Sequence, residues 1–357
     1  MNLGKLYEKS PKIIQKSEKI LLYSMRLSKF IYRKKTSSSQ PNEMLNFLIK
    51  STNIKTEGTL RDIQLLYTEL LRFIDNVCNK YNLEYCLAYG TLIGAVRHEG
   101  FIPWDDDFDI IMMRTDYNKL IEVLPKEINK YDYFKENCAL TRLINANDNY
   151  FKDFNTIYDE KLGHDKYFSS DPKLGKSTFL QLGWLKPMVK LDIFPFDYVK
   201  EDSIDYYTKN YLGHKYYFNK LYHDPDFSFE KEFNERFEKL GLTLDETDFI
   251  AEGIDASSAD DLGVFEKNIF FPTKTMKFEG YDIKCPNKPD KFIERLYGND
   301  FMNIPENIRI HGYSEYNSTL FDSKEEMDES FKHVINYLKE INDNYYKYSW
   351  VIEYLLK

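Results

Sequence analysis

Gly90-Thr91-Leu92-Ile93-Gly94-Ala95-Val96-Arg97-His98-Glu99-Gly100-Phe101-Ile102-Pro103-Trp104-Asp105-Asp106-Asp107-Phe108-Asp109-Ile110 is the stretch that organises the rest of the chain. Its first part reads as a glycine turn opening a helix over Leu92 to His98, because Gly and Thr suit a helix N-terminus. Its last part reads as a strand through about Met113, with Phe108 and Ile110 alternating with Asp107 and Asp109. On a strand the two acids share one face and the apolar residues share the other. Upstream, Leu83 to Ala88 is a short apolar run that reads as a strand, so the local order is strand, glycine turn, helix, acidic strand.

Two like charges held side by side near a core are costly, because desolvation and repulsion both disfavour the ionised form unless a cation lies between them. Oxygen-only ligands select a hard ion, Mg²⁺ first and Mn²⁺ as its substitute. The competing register, Asp105 with Asp107, lacks flanking apolar residues because Asp106 intervenes, so Asp107 and Asp109 are the expected metal ligands. A solvated, inert acidic loop is the alternative reading. Gly90, seventeen positions before Asp107, allows the backbone close to a phosphate, and a helix N-terminus offers unpaired N–H groups to it. Together with a hydroxyl contact from Thr91, these features describe a site for a nucleoside di- or triphosphate. Asp192, bracketed by Leu191 and Ile193, is the expected third acid, as a metal ligand or as the base for an acceptor hydroxyl. A surface Asp on an edge strand is its plain alternative.

Arg97 and His98 close the glycine-turn helix, where Arg can grip a diphosphate and His can titrate near neutral pH; C-terminal capping is the competing role. Trp104 offers an aromatic face to a base or a quaternary ammonium, against a packing role beside the acidic strand. Arg142 could reach phosphate from a neighbouring strand, although a lone Arg on a strand is usually at the surface.

Around this nucleus, Leu60, Ile63, Leu66, Leu70, Phe73, Ile74 and Val77 recur at helical spacing and predict a helix over 59–80. Val189 to Phe194 predicts a strand, and 116–130 and 322–357 read as helices. Mixed α and β structure follows. The chain has 357 residues with a net charge of -9, which argues against a nucleic-acid binder. Its four cysteines show no CxxC pairing, so neither a disulfide framework nor a structural zinc site is expected. Residues 1–35 are basic, with a balance of +8 against -17 for the rest, and they contain no apolar run long enough for a signal peptide or membrane span. They read as a helix that packs on its own domain or lies on an anionic membrane surface.

The Gly90–Ile110 stretch resembles the signature of the LicD family of phosphotransferases, related to the fukutin group. The resemblance continues through Leu191-Asp192-Ile193-Phe194-Pro195-Phe196-Asp197, the Phe278-Glu279-Gly280 to Pro286 block, and Tyr297-Gly298-Asn299-Asp300-Phe301-Met302. It implies a nucleotidyltransferase-like α/β fold, a mixed sheet with flanking helices; the Tyr-, Phe-, Lys- and Asp-rich composition of the segment after residue 200 reads separately as a helical insertion or a second lobe. The expected layout is a basic helix and linker over 1–42, a catalytic core over 43–199, the insertion over 200–263, and the remaining family region with a terminal helix over 264–357. It also implies a Mg²⁺-dependent transferase that moves a phospho-alcohol from a CDP-linked donor such as CDP-choline to a hydroxyl of an envelope glycan or lipid-linked saccharide. By matching positions, Asp107 and Asp109 hold the metal, Asp192 is the third acid, and Gly90 and Thr91 meet phosphate. Arg309-Ile310-His311-Gly312-Tyr313 only approximates the basic stretch common near the end of the family region. Nucleotidylyl transfer on the same fold, or a non-catalytic nucleotide-binding protein, are the alternatives. Cytoplasmic chemistry is expected, with residues 1–35 able to sit on the inner membrane face.

Overall fold

The computed structural model describes residues 55–141, 179–211, 229–256, 262–303, 310 and 312–347. The basic segment 1–42, Arg142, Arg309, His311 and the end of the expected C-terminal helix lie outside the described residues. Helix α1 (Thr59–Tyr81) forms where the periodicity predicts it, and its apolar stripe from Leu60 to Val77 is fully buried. It stops at Asn82, whose backbone is left-handed at φ 54°, a conformation Asn tolerates. The following strand β1 (Cys86–Leu87) is shorter than the expected Leu83–Ala88 run. Helix α2 (Tyr89–His98) then starts one residue before Gly90.

Strand β2 (Phe108–Met113) is buried along its whole length. It leads into α3 (Arg114–Ile128), α4 (Asp132–Asn137), β3 (Cys138–Thr141), β4 (Leu180–Trp184) and the eleven-residue β5 (Val189–Val199). Next come α5 (Ile204–Asn210), α6 (Phe229–Lys239), β6 (Leu242–Thr243), β7 (Phe249–Glu252) and β8 (Val264–Glu266). The chain continues through β9 (Lys274–Phe278), β10 (Tyr281–Cys285), α7 (Pro289–Tyr297), α8 (Tyr313–Thr319) and α9 (Lys324–Asp343).

The main sheet runs β1-β2-β5-β4-β3, with β2 and β5 parallel and the other neighbours antiparallel. This is the mixed α/β architecture expected from the sequence. The far half of β5 pairs with β6 and β7, and β8 pairs with β7. Among the described residues of the 200–263 segment the helices fall in the first part, and the second part adds strands to the sheet. Val199, Tyr207, Leu240, Leu242, Ala251 and Ile254 give it a small core of its own.

The principal core lies between the sheet and helices α1, α2 and α9. Tyr67, Phe101, Phe108 and Phe278 meet there, with ring centroids between 5.0 and 6.3 Å apart. Truncating one such ring, Phe108→Ala for example, costs about 3–5 kcal/mol, from lost transfer energy and the cavity left behind. The hairpin of β9 and β10 turns at Glu279–Gly280, both at positive φ. The Glu279 carboxylate accepts hydrogen bonds from Arg61 at 2.7 Å, Lys55 at 2.8 Å and the Phe101 N–H at 3.3 Å. That contact fastens the hairpin to the loop entering the acidic strand.

Candidate active site

The site forms where the first turn of α2 meets the lead-in to β2. Gly90 lies against Asp105: a Cβ added there would stand 3.1 Å from the Asp105 Oδ2. Gly94, one turn on, packs so tightly on the backbone of Gly100 that any side chain would collide with its carbonyl. Glycines at these two positions let helix and acidic loop touch. Thr91 is fully buried, and its hydroxyl accepts the backbone N–H of Asp109 at 3.0 Å. The hydroxyl expected at a phosphate thus holds the acidic strand.

Asp109 is the second residue of β2, and Asp107 sits just before the strand begins. Asp109 pairs in register with Asp192 on the parallel strand β5, and Asp192 pairs with Gln181 on β4. Side chains in register on adjacent strands share a face, so the fold brings Asp109 and Asp192 together as the sequence reading required. Gln181 Nε2 donates to Asp192 Oδ1 at 2.8 Å.

Asp105 joins this group. Its Oδ2 is buried with no hydrogen-bond partner among the described residues, while its backbone carbonyl accepts from Gln64 Nε2 at 3.0 Å. Asp106 plays a different part: its Oδ2 accepts the N–H groups of Gly312 at 2.8 Å and Tyr313 at 3.0 Å, which seats the start of α8 on the acidic loop.

Burial pushes the Asp109 carboxyl well up from its ordinary value, and Asp107 and Asp192 push it further, with Lys190 opposing. Burial likewise raises Asp105, reinforced by Asp107, Asp109 and Asp106. The group resists carrying its full negative charge, which is the condition a divalent cation relieves. Among the described residues no three His, Cys, Asp or Glu side chains converge as a complete cage. Two carboxylates with water and phosphate oxygens completing the shell are how Mg²⁺ is ordinarily held, so the donor set fits that ion.

Lys190 lies two residues before Asp192 and is half-buried. Burial works against its charge, but Tyr313, Asp192 and Asp109 outweigh that and hold the ammonium above its ordinary value. Tyr313 is pushed up to about 12 by burial, opposed by Lys190 and aided by Asp192, Asp107 and Asp106. Tyr297, at the end of α7, is 46% exposed and feels the field of Asp109, Asp107 and Asp105.

Arg97 and His98 take structural partners. The Arg97 guanidinium donates to the carbonyls of Phe301 and Asn303, each at 3.0 Å, and to His98 Nε2 at 2.9 Å. Burial lowers its pKa to about 10, with Asp105 opposing, so it stays cationic at neutral pH. Trp104 is only 5% exposed and lies under this guanidinium, 5.7 Å from ring centroid to carbon, in a packing position.

Lys190, Gln181, Tyr297, Tyr313 and the separate duties of Asp105 and Asp106 escape the sequence reading. Strand alternation puts Lys190 on the face of Asp192 and was the available signal for it. The others depend on contacts between segments far apart in the chain.

A mixed sheet that presents acids on two adjacent parallel strands, beside the glycine-opened N-terminus of a helix, defines a nucleotidyltransferase-like domain. Residues 82–242, a little under half of the chain, match the family model described as LicD/FKTN/FKRP, nucleotidyltransferase domain. The chain is 44% identical over 73 residues to the lipopolysaccharide cholinephosphotransferase LicD of Haemophilus influenzae, covering 20% of this chain and 28% of that protein. It is 32% identical over 108 residues to an uncharacterized protein of Rickettsia prowazekii, covering 28% of this chain and 39% of the relative. A Rickettsia typhi protein, also uncharacterized, matches at 41% over 58 residues, 16% of this chain and 19% of its own length. The chain thus spans less than two fifths of the length of each of these relatives. No helix among the described residues is long and apolar enough to cross a membrane.

Proposed function

We propose that this domain transfers a phospho-alcohol, phosphocholine or a close analogue, from a CDP-linked donor to a hydroxyl of an envelope glycan or lipid-linked saccharide. The observation that carries this reading is the in-register pairing of Asp109 with Asp192, with Asp107 alongside, at the N-terminus of α2. The name of the Haemophilus relative supports phosphocholine as the moved group and a glycan as the acceptor. Asp107 and Asp109 are the residues that would hold Mg²⁺, which when bound supplies positive charge to phosphate oxygens. The N–H groups of the first turn of α2 are the donors that would meet a phosphate oxygen, beside the Asp105 carboxylate that packs on Gly90.

Asp192, held by Gln181, takes the proton of the acceptor hydroxyl. The acceptor oxygen bonds to the phosphorus of the transferred group, and the bond from that phosphorus to the CMP oxygen breaks, CMP leaving with the electron pair. Residues 1–35 would place the reaction at the inner membrane face if they bind anionic lipid.

The test is the thermal midpoint of the protein against CDP-choline, CDP-ethanolamine, CDP-glycerol, CDP-ribitol, CTP, UTP and ATP, each with Mg²⁺ and with chelator. A ligand that binds only the native state raises the midpoint. A Mg²⁺-dependent rise with one CDP-alcohol, lost in Asp109→Asn, is expected. A rise with a nucleoside triphosphate alone would replace this reading with nucleotidylyl transfer, in which the acceptor gains a nucleotide.

A further inference from the structure

The site places a cation within its own group of acids. Lys190 shares a sheet face with Asp192, and the β2–β5 register continued one position back from the Phe108–Leu191 pair sets it beside Asp107. On its other side it pairs with Gly183, which contributes no side chain and leaves the ammonium room. The neighbouring cation, Arg97, is committed to the carbonyls of Phe301 and Asn303. Lys190 instead lies in the field of the Tyr313 phenol, Asp192 and Asp109.

Tyr313 is brought there by the acidic stretch itself, since Asp106 accepts the Tyr313 and Gly312 N–H groups. One aspartate of the run is thereby spent on seating the residue that positions the lysine. A donor carrying a diphosphate adds negative charge to a place where Asp105, Asp107, Asp109 and Asp192 already gather, and a single divalent ion does not offset both. A half-buried lysine on that face of the sheet supplies the missing positive charge as a point contact, the usual manner of a phosphate-binding lysine.

We propose that the Lys190 ammonium contacts the phosphate oxygens of the donor, with Tyr313 as its positioning residue. The proposal rests on the functional reading above and adds a residue to it.

Isothermal titration of wild type, Lys190→Met and Lys190→Arg with CDP and with inorganic pyrophosphate, both with Mg²⁺, tests it, alongside Mn²⁺ alone followed by electron paramagnetic resonance. Lys190→Met is expected to weaken both diphosphates about 10- to 100-fold, the worth of one charge-assisted hydrogen bond, while Mn²⁺ affinity holds and Lys190→Arg recovers most of the loss. Unchanged diphosphate affinity in Lys190→Met overturns the proposal. So does a change in Mn²⁺ affinity as large as the change in diphosphate affinity, because the lysine then only balances the charge of the acids. If wild type binds pyrophosphate but not CDP, the donor reading fails while the lysine is still judged on pyrophosphate; if it binds neither, both fall. Should Lys190→Met not fold, Tyr313→Phe decides: a loss of diphosphate affinity at constant Mn²⁺ affinity supports the proposal, and no loss overturns it.

Discussion

The Thr91 hydroxyl accepts the backbone N–H of Asp109 at 3.0 Å, joining the glycine-turn helix to the acidic strand across 18 positions of sequence. The strand cannot slide relative to the helix without breaking a buried hydrogen bond. The spacing between the helix N-terminus and the carboxylates is thus set by the Thr91 side chain.

Thr91→Val keeps the shape and removes the acceptor, stranding the buried Asp109 N–H. A loss of about 1–3 kcal/mol is expected in urea unfolding, the cost of an unsatisfied buried donor, with Thr91→Ser retaining most of the stability.

Asp106→Ala removes the acceptor for the Gly312 and Tyr313 N–H groups. The start of α8 should lose amide-exchange protection while β2 keeps its own, since β2 is held by Thr91 and its neighbouring strands. Equal loss of protection in both would show that Asp106 supports the whole loop.

Arg114 makes two bidentate pairs, with Asp197 at 2.7 and 2.8 Å and with Asp255 at 2.6 and 2.8 Å, and all three side chains are buried. Arg114→Met leaves two buried carboxylates facing each other and should cost about 3–5 kcal/mol. The triple replacement Arg114→Met, Asp197→Leu, Asp255→Leu should recover much of that loss, as read from urea midpoints.

Trp104 and Tyr297 should separate packing from ligand contact. Trp104→Ala is expected to destabilise by about 3–5 kcal/mol, as for other buried aromatics. Tyr297→Ala, at a half-exposed position beside the acids, should leave the thermal midpoint nearly unchanged and raise KM for the donor.

Asp62 on α1 has its pKa raised to about 6 by burial first, then by Asp328, against Lys324 and Arg61. The folded state keeps this proton up to about pH 6, whereas an unfolded Asp releases it near 3.9. The folded form therefore binds more protons in that window, and the contribution of this group to stability falls as pH rises through it. Asp62→Asn should be more stable than wild type at pH 7.5, and the gap should narrow toward pH 4, measured as midpoint differences in urea.

Much of the fold is legible because its elements are locally encoded. The stripe from Leu60 to Val77 sets α1, and the alternation of Phe108, Asp109 and Ile110 sets β2, with Asp107 left just outside it. The 200–263 segment was harder to read: Leu242–Thr243 and Phe249–Glu252 are too short for a period to show, and they become strands by pairing with the far half of β5. Arg97 and Trp104 carry the right chemistry for ligand contact, and no local pattern reveals that Phe301 and Asn303 already occupy the guanidinium.

The sequence by itself determined the acidic strand, the glycine-opened helix before it and the candidacy of Asp192, since each follows from residue type and periodicity over a few neighbouring positions. Only the tertiary structure decided which acids work together. In-register pairing of β2 with β5 sets Asp109 against Asp192 and brings Lys190 beside them, while Gly312 and Tyr313 draw Asp106 away to hold α8. Those are contacts across 83 to 207 positions of chain, and long-range register is fixed by the packing of the whole core, which no short stretch of sequence contains.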